Sequence, residues 1–329
     1  MLPPAGLHTC AEEDVDGPPL RATAFGLDVH ARAALRLLGG ATAEPAGRRL
    51  HVSVACEDPG VDRWFEAAEL VCDQREPDGS VSFRIELDPR VGYLIEGPVY
   101  GRFVLDADGR HALCLPGGRD DHVWQRLLIA QVLPFAALLQ GLEVLHASAV
   151  ATAPGAVVLS GPSGAGKTTL ALELCRRGAR FLADDVLALE LAQGELRGHP
   201  GAPVAGLAHA EARRLESLGA VPAAVLGINR RERLLRVCTA ARPSPIAALF
   251  FLERSAAAPN TPRFEAVTDP RMLLASTFNT VLRTPARLRA LLELCALVAA
   301  RRVERVSIGP GTQVEQLAAA IERRVGAES

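Results

Sequence analysis

The sequence all but lacks lysine: of 36 basic residues only Lys167 is one, and every other is arginine. Positive charge is not in surplus either. The formal net charge is −2 and only 4% of residues are aromatic, so no basic, aromatic-laced surface is expected to take nucleic acid or an anionic membrane. Seven cysteines are scattered at positions 10, 56, 72, 114, 175, 238 and 295 with no C-x-x-C pair. That spacing argues against a zinc site or a disulfide scaffold, and the thiols read as small core fillers in a reducing compartment. Long apolar runs are missing too. The most apolar stretch, 127–160, is broken by Gln131, Pro134, Gln140, Glu143 and His146, so no membrane span is expected. The opening MLPPAGLHTCAEEDVDGPPL has no basic region followed by an apolar core, as a secretory signal would, and a cytoplasmic protein is expected. No G-x-S-x-G, H-E-x-x-H or G-x-G-x-x-G pattern occurs.

What is present is a globular composition, 49% hydrophobic and 22% charged, over 329 residues. That length fits one large domain or two ordinary ones. Residues 1–20 read as a flexible N-terminus. Alternating strands are predicted at Leu50–Cys56 and Val81–Leu87, and further strands at Gly92–Gly97, Tyr100–Leu105 and Arg110–Leu115. A β-rich accessory domain over 21–118 follows from them. Pro116, Gly117 and Gly118 break the chain, and a helix capped by Asp120 or Asp121 is predicted to about Leu139, kinked at Pro134. This helix is read as leading the second domain, 119–329. There the pattern becomes layered α/β: a buried strand Ala156–Ser160, a helix from Lys167 to about Arg177 ended by Gly178, then strands Ala179–Leu182 and Val186–Leu191. A hairpin returns through Glu195–Gly198. Further on are a helix Ala208–Leu218, a buried strand Ile246–Leu252, helices near Pro270–Thr280 and Pro285–Arg301, a strand Val303–Ile308 and a terminal helix.

The run Gly161, Pro162, Ser163, Gly164, Ala165, Gly166, Lys167, Thr168 satisfies G-x-x-x-x-G-K-[ST], the P-loop or Walker A pattern, and Thr169 follows it. Glycines let backbone N–H groups point inward around phosphate oxygens, and the helix behind the loop adds unpaired amides and a positive dipole end. Lys167 is expected on the β- and γ-phosphates and the Thr168 hydroxyl on Mg²⁺. An apolar strand before the loop and a helix after it give the motif its required setting, which a chance glycine-rich turn would lack. The solitary lysine of the chain thus stands where a compact ammonium is wanted.

Asp184 and Asp185 close the strand that follows the P-loop helix. On an extended backbone their side chains would face opposite sides, one toward Mg²⁺ and one toward an acceptor hydroxyl. A solvated turn pair is the plainer reading, made less apt by the neighbouring loop. His146, in Leu145-His146-Ala147-Ser148-Ala149, precedes the phosphate strand and is within plausible reach of the pair; a lone histidine is more commonly just a satisfied side chain.

Together these features resemble the catalytic domain of HPr kinase/phosphorylase. The stretch Val157–Glu190 is similar to that family's P-loop, helix, R-G turn and A-D-D strand in order and spacing, and His146 falls where the family has a histidine that interacts with the Asp pair. More loosely, the chain is similar to a wider group of serine-kinase-like proteins, some encoded with lasso-peptide genes. That group carries a β-rich N-terminal region and an "LHAS-V" stretch like Leu145–Val150, on a core related to phosphoenolpyruvate carboxykinase. The resemblance implies a P-loop HPr kinase/phosphoenolpyruvate carboxykinase-like fold and an ATP- and Mg²⁺-dependent serine kinase. It implies one Asp of the pair as the base, Asp185 being favoured, and the other, Asp184, acting with His146 or, with Thr168, at the metal. Its acceptor would be a serine on a peptide, protein or small molecule, or free serine, and self-association into a homo-oligomer is expected. The family's magnesium-binding glutamate signature is missing: Glu195-Leu196-Arg197-Gly198 lies too close to the Asp pair. HPr as substrate and reverse phosphorolysis are therefore not carried over. Two rival readings remain open on sequence alone, a catalytically inactive nucleotide-binding regulator or scaffold and a nucleotide-hydrolysing switch.

Overall fold

The computed structural model describes residues 20–326 apart from 42, 77, 119, 218–223, 268–271, 273–284 and 300, and its contacts divide the chain into two units, Met1–Leu142 and Glu143–Ser329. Residues 1–19 of the expected flexible N-terminus, and the helix expected near Pro270–Thr280 apart from Met272, lie outside the described residues.

In the first unit eight strands form one sheet. They are β1 (Leu20–Ala24), β2 (Leu27–Ala31), β3 (Arg49–Val54), β4 (Glu69–Arg75), β5 (Val81–Asp88), β6 (Gly92–Gly97), β7 (Gly101–Leu105) and β8 (His111–Pro116), in the order β1-β2-β3-β8-β7-β6-β5-β4. β3 is parallel to both β2 and β8, and the other neighbours are antiparallel. The helix α2, Asp121–Leu139 (a four-residue α1, Val61–Trp64, precedes it), packs into this unit. Phe135 meets Tyr93 edge-on at 4.8 Å between ring centroids. The Gln125 side chain accepts from Leu37 N–H at 3.0 Å and donates to Ala34 C=O at 3.0 Å. The boundary therefore falls after Leu142, not after residue 118, because α2 finds its partners among the accessory strands.

Pro134 has the consequence expected of a residue without an N–H. The turn just before it, Leu128–Val132, widens to a π-helical turn, and regular helix resumes at Leu133. α2 is long and apolar enough to cross a membrane by length and composition, but 67% of its most apolar window is buried in the protein, as in a core helix.

The second unit is mixed α/β with several sheets. Its central strands are β10 (Ala147–Thr152), β11 (Gly155–Ser160), β12 (Arg180–Ala183), β18 (Ser244–Arg254), β19 (Arg263–Ala266) and β20 (Arg302–Ile308). They are ordered β12-β10-β11-β18, with β20 on the other side of β18 and β19 beyond it. β11, β18 and β20 are parallel, the arrangement that brings strand ends and following loops to one edge. The start of β18 also pairs with β14 (Glu195–Gly198), which leads on through β13 (Leu187–Ala192) to β9 (Glu143–Leu145). A separate small sheet has the order β15 (Val204–Ala208), β17 (Glu232–Arg236), β16 (Val225–Ile228).

Strand periodicity sorts the core into two faces. Val157, Leu159, Ala248, Phe250 and Leu252 pack with Leu170 and Leu174 of α3 (Lys167–Arg176) and with Leu317 and Ile321 of α6 (Val314–Gly326). The alternate residues Val158, Leu249 and Phe251 pack with Leu291, Leu294 and Val298 of α5 (Pro285–Ala299). The helix expected over Ala208–Leu218 is α4, His209–Ser217. Of the described cysteines, Cys114 and Cys295 are buried as expected, but Cys56 and Cys238 are exposed and fill no core.

Candidate functional site

The glycine loop is shaped by its neighbours. β11 ends at Ser160 and Gly161 turns the chain at φ 141, where an added Cβ would lie 2.5 Å from the Leu252 carbonyl oxygen of β18. Only glycine lets the two parallel strands approach this closely while the chain turns. Ala165 N–H returns to Pro162 C=O at 3.2 Å, and Gly166, at φ 94, caps α3. The first amides of any helix have no intrahelical acceptor, so the start of α3 is a ready anion site.

Lys167 opens α3 and is 8% exposed. Its Nζ donates to Gly161 C=O at 2.8 Å and to Pro162 C=O at 3.3 Å, curling the ammonium over the loop. Burial lowers its pKa, while the Asp185 and Asp184 charges oppose that shift. Thr168, one residue on, donates from Oγ1 to Asp184 Oδ1 at 2.7 Å.

Asp184 follows β12 and is the hub of the site. Besides Thr168, its Oδ1 accepts from Ser148 Oγ at 2.7 Å and its Oδ2 from Gly206 N–H at 2.9 Å. Burial, and then the neighbouring Asp185 charge, push its carboxyl above the usual carboxylate range, against the three hydrogen bonds that favour the ion. Asp185 differs. The backbone is not extended at the pair: Asp185 has φ 66, and Val186 N–H bonds Asp184 C=O across it at 2.7 Å. This is the rarer, positive-φ form of γ-turn, a strained conformation that sets the two carboxylates apart. The Asp185 Oδ1 lies 3.5 Å from His146 Nδ1, and the two side chains are 35% and 45% exposed.

The structure thus brings Lys167, Thr168, Asp184, Asp185 and His146 to one edge of the sheet. Pro162, Ser163 and Gly164 complete the loop, and Thr169 lies in the first turn of α3. Among the described residues no three His, Cys, Asp or Glu side chains converge as a metal cluster. The Thr168–Asp184 corner is of another kind: Mg²⁺ typically takes one or two protein oxygens and fills its octahedron with phosphate and water. Glu195 is remote in role, its carboxylate paired with Arg197 at 2.7 Å on the hairpin return.

Sequence reasoning missed three contributors. Ser148 is fully buried and bonds Asp184; a hydroxyl flanked by alanines in the buried part of the strand Ala147–Thr152 is the signal that marks it. Gly206 contributes only its backbone N–H, which no side-chain pattern reveals. Arg254, at the end of β18, donates from Nε to Ala165 C=O at 3.0 Å and was indistinguishable in sequence from the chain's many other arginines.

No protein-family model and no curated protein matches this chain. Among solved structures it is similar to the HPr(Ser) kinase/phosphatase from Coxiella burnetii, at 16% identity and a TM-score of 0.30, over 56% of this chain and 91% of that one. The functional reading rests on the site's own geometry.

Proposed function

We propose that this chain is a cytoplasmic ATP-dependent kinase that transfers the γ-phosphoryl group to a serine hydroxyl, on a peptide, a protein or a small molecule such as free serine. The same reading assigns the second unit to the P-loop, HPr kinase/phosphoenolpyruvate carboxykinase-like fold. One observation carries it: the Thr168–Asp184 hydrogen bond of 2.7 Å at the mouth of a P-loop, beside a half-exposed carboxylate, Asp185, that has a histidine 3.5 Å away. A protein that only bound nucleotide would have no need to hold a second carboxylate exposed in a strained turn.

In this mechanism Lys167 exchanges the Gly161 and Pro162 carbonyls for β- and γ-phosphate oxygens, and the loop amides hold the triphosphate in line. Asp185 takes the proton from the serine Oγ as the Oγ–Pγ bond forms and the bond from Pγ to the β–γ bridging oxygen breaks, with the electron pair leaving on ADP. His146 orients Asp185 from its exposed side. Thr168 and Asp184 would hold Mg²⁺, which when bound neutralises phosphate charge. Incubation with γ-labelled ATP and either free serine or a serine-ending peptide tests the proposal. Label is expected on the acceptor. Label released only as inorganic phosphate would make the chain a hydrolase, and nucleotide binding without turnover would make it a regulator.

A further inference from the structure

The glycine loop has an acid on one flank and a cation on the other. β18 runs parallel to β11 with Phe251 opposite Ser160, so it continues past the point where β11 becomes loop, and it ends at Arg254. Arg254 is exposed, and its Nε is tied to Ala165 C=O at 3.0 Å. Its guanidinium lies beside Gly166, close enough that a Cβ there would be 3.2 Å from one terminal nitrogen. The sheet order β12-β10-β11-β18 puts Asp184, which follows β12, on one flank of the loop and Arg254 on the opposite one.

A nucleoside triphosphate is a chain with two unlike ends. With its terminal phosphates at the Thr168–Asp184 corner and its length laid along the loop, the nucleoside end emerges on the β18 flank. We propose that Arg254 determines nucleoside recognition, its guanidinium plane stacking on the base; this rests on the nucleotide site proposed above. Guanidinium is planar, delocalised and weakly hydrated, and it can lie flat on an aromatic face, which a compact ammonium cannot do. The bond to Ala165 C=O holds the plane in place beforehand, so little side-chain freedom is lost on binding.

Inorganic tripolyphosphate, which has the phosphates and no nucleoside, separates this role from any other. Its affinity and that of ATP are measured by calorimetry in the presence of Mg²⁺ on the full chain, for wild type, Arg254→Ala and Arg254→Lys. Arg254→Ala is expected to weaken ATP about tenfold, the order that one stacking contact supplies, with tripolyphosphate unchanged. Arg254→Lys keeps the charge and loses the plane, so it should show the same selective loss, and it serves as the test if Arg254→Ala does not fold. Equal losses for both ligands would overturn the inference in favour of a phosphate contact or a loop brace, and no loss for either would overturn it outright. Wild-type protein that binds neither ligand would overturn the underlying nucleotide site as well, a result distinct from the other two.

Discussion

Asp185 sits at φ 66 in a γ-turn with its carboxylate half exposed, while Asp184 beside it is enclosed by Ser148, Thr168 and Gly206. One peptide unit separates the proposed base from the proposed metal ligand. The two should therefore fail differently when neutralised. Asp185→Asn is expected to cut phosphoryl transfer by at least ~10², the low end for a lost general base, with Mg·ATP affinity nearly intact. Asp184→Asn should lose transfer to a similar degree and lose Mg·ATP affinity with it, because the amide removes the proposed metal ligand. Single-turnover rates paired with equilibrium binding separate the two outcomes. Transfer at the wild-type rate in both variants would contradict the kinase reading.

At the scale of elements, α3 shows how local chemistry fixes the site. Gly178, at φ 112, ends it with a paired cap: Gly178 N–H to Cys175 C=O at 3.0 Å and Ala179 N–H to Leu174 C=O at 3.1 Å. A methyl at Gly178 would meet nothing within 4 Å, so Gly178→Ala isolates the backbone strain. It is expected to cost about 1–2 kcal/mol in a denaturant melt with little change in transfer, since the proposed nucleotide site lies at the helix's other end. Gly178 was legible in the sequence, as were the strand Ala156–Ser160, the loop and the apolar run of β18, because each rests on short-range pattern. The hairpin β1–β2 and strand β4 were not read. β4 is mostly exposed and carries little apolar alternation, and so gives no period-2 signal. At Asp184–Asp185 the sequence left an extended backbone and a turn both open, and the structure has the turn, Asp185 standing at φ 66. The domain boundary was misplaced. Pro116-Gly117-Gly118 marks a turn convincingly, but which unit α2 joins is decided by long-range partners such as Tyr93 and Leu37.

For the whole molecule, the raised Asp184 carboxyl couples the site to stability. A native carboxyl with a raised pKa binds its proton more tightly than the unfolded chain does. Between the ordinary carboxylate pKa and the raised one the native state therefore carries more protons, and stability falls as pH rises through that window. Asp184→Asn removes the titration. Without Mg²⁺ or nucleotide, its stability should fall less than that of wild type as pH rises above the ordinary carboxylate pKa in denaturant melts. An identical pH dependence would mean that Asp184 does not carry the raised pKa.

The composition of the whole chain supplies the most direct test, because Lys167 is its only lysine. Burial lowers the Lys167 pKa, so more of the free amine is present near neutral pH than in an ordinary lysine, and amine-reactive reagents can report on it under mild conditions. Its modification is followed by mass spectrometry of the peptide spanning Gly161–Arg176. If Lys167 exchanges the Gly161 and Pro162 carbonyls for β- and γ-phosphates, saturating Mg·ATP should protect it strongly and AMP, which lacks those phosphates, hardly at all. Equal labelling of Lys167 with and without saturating Mg·ATP would contradict the account at its centre.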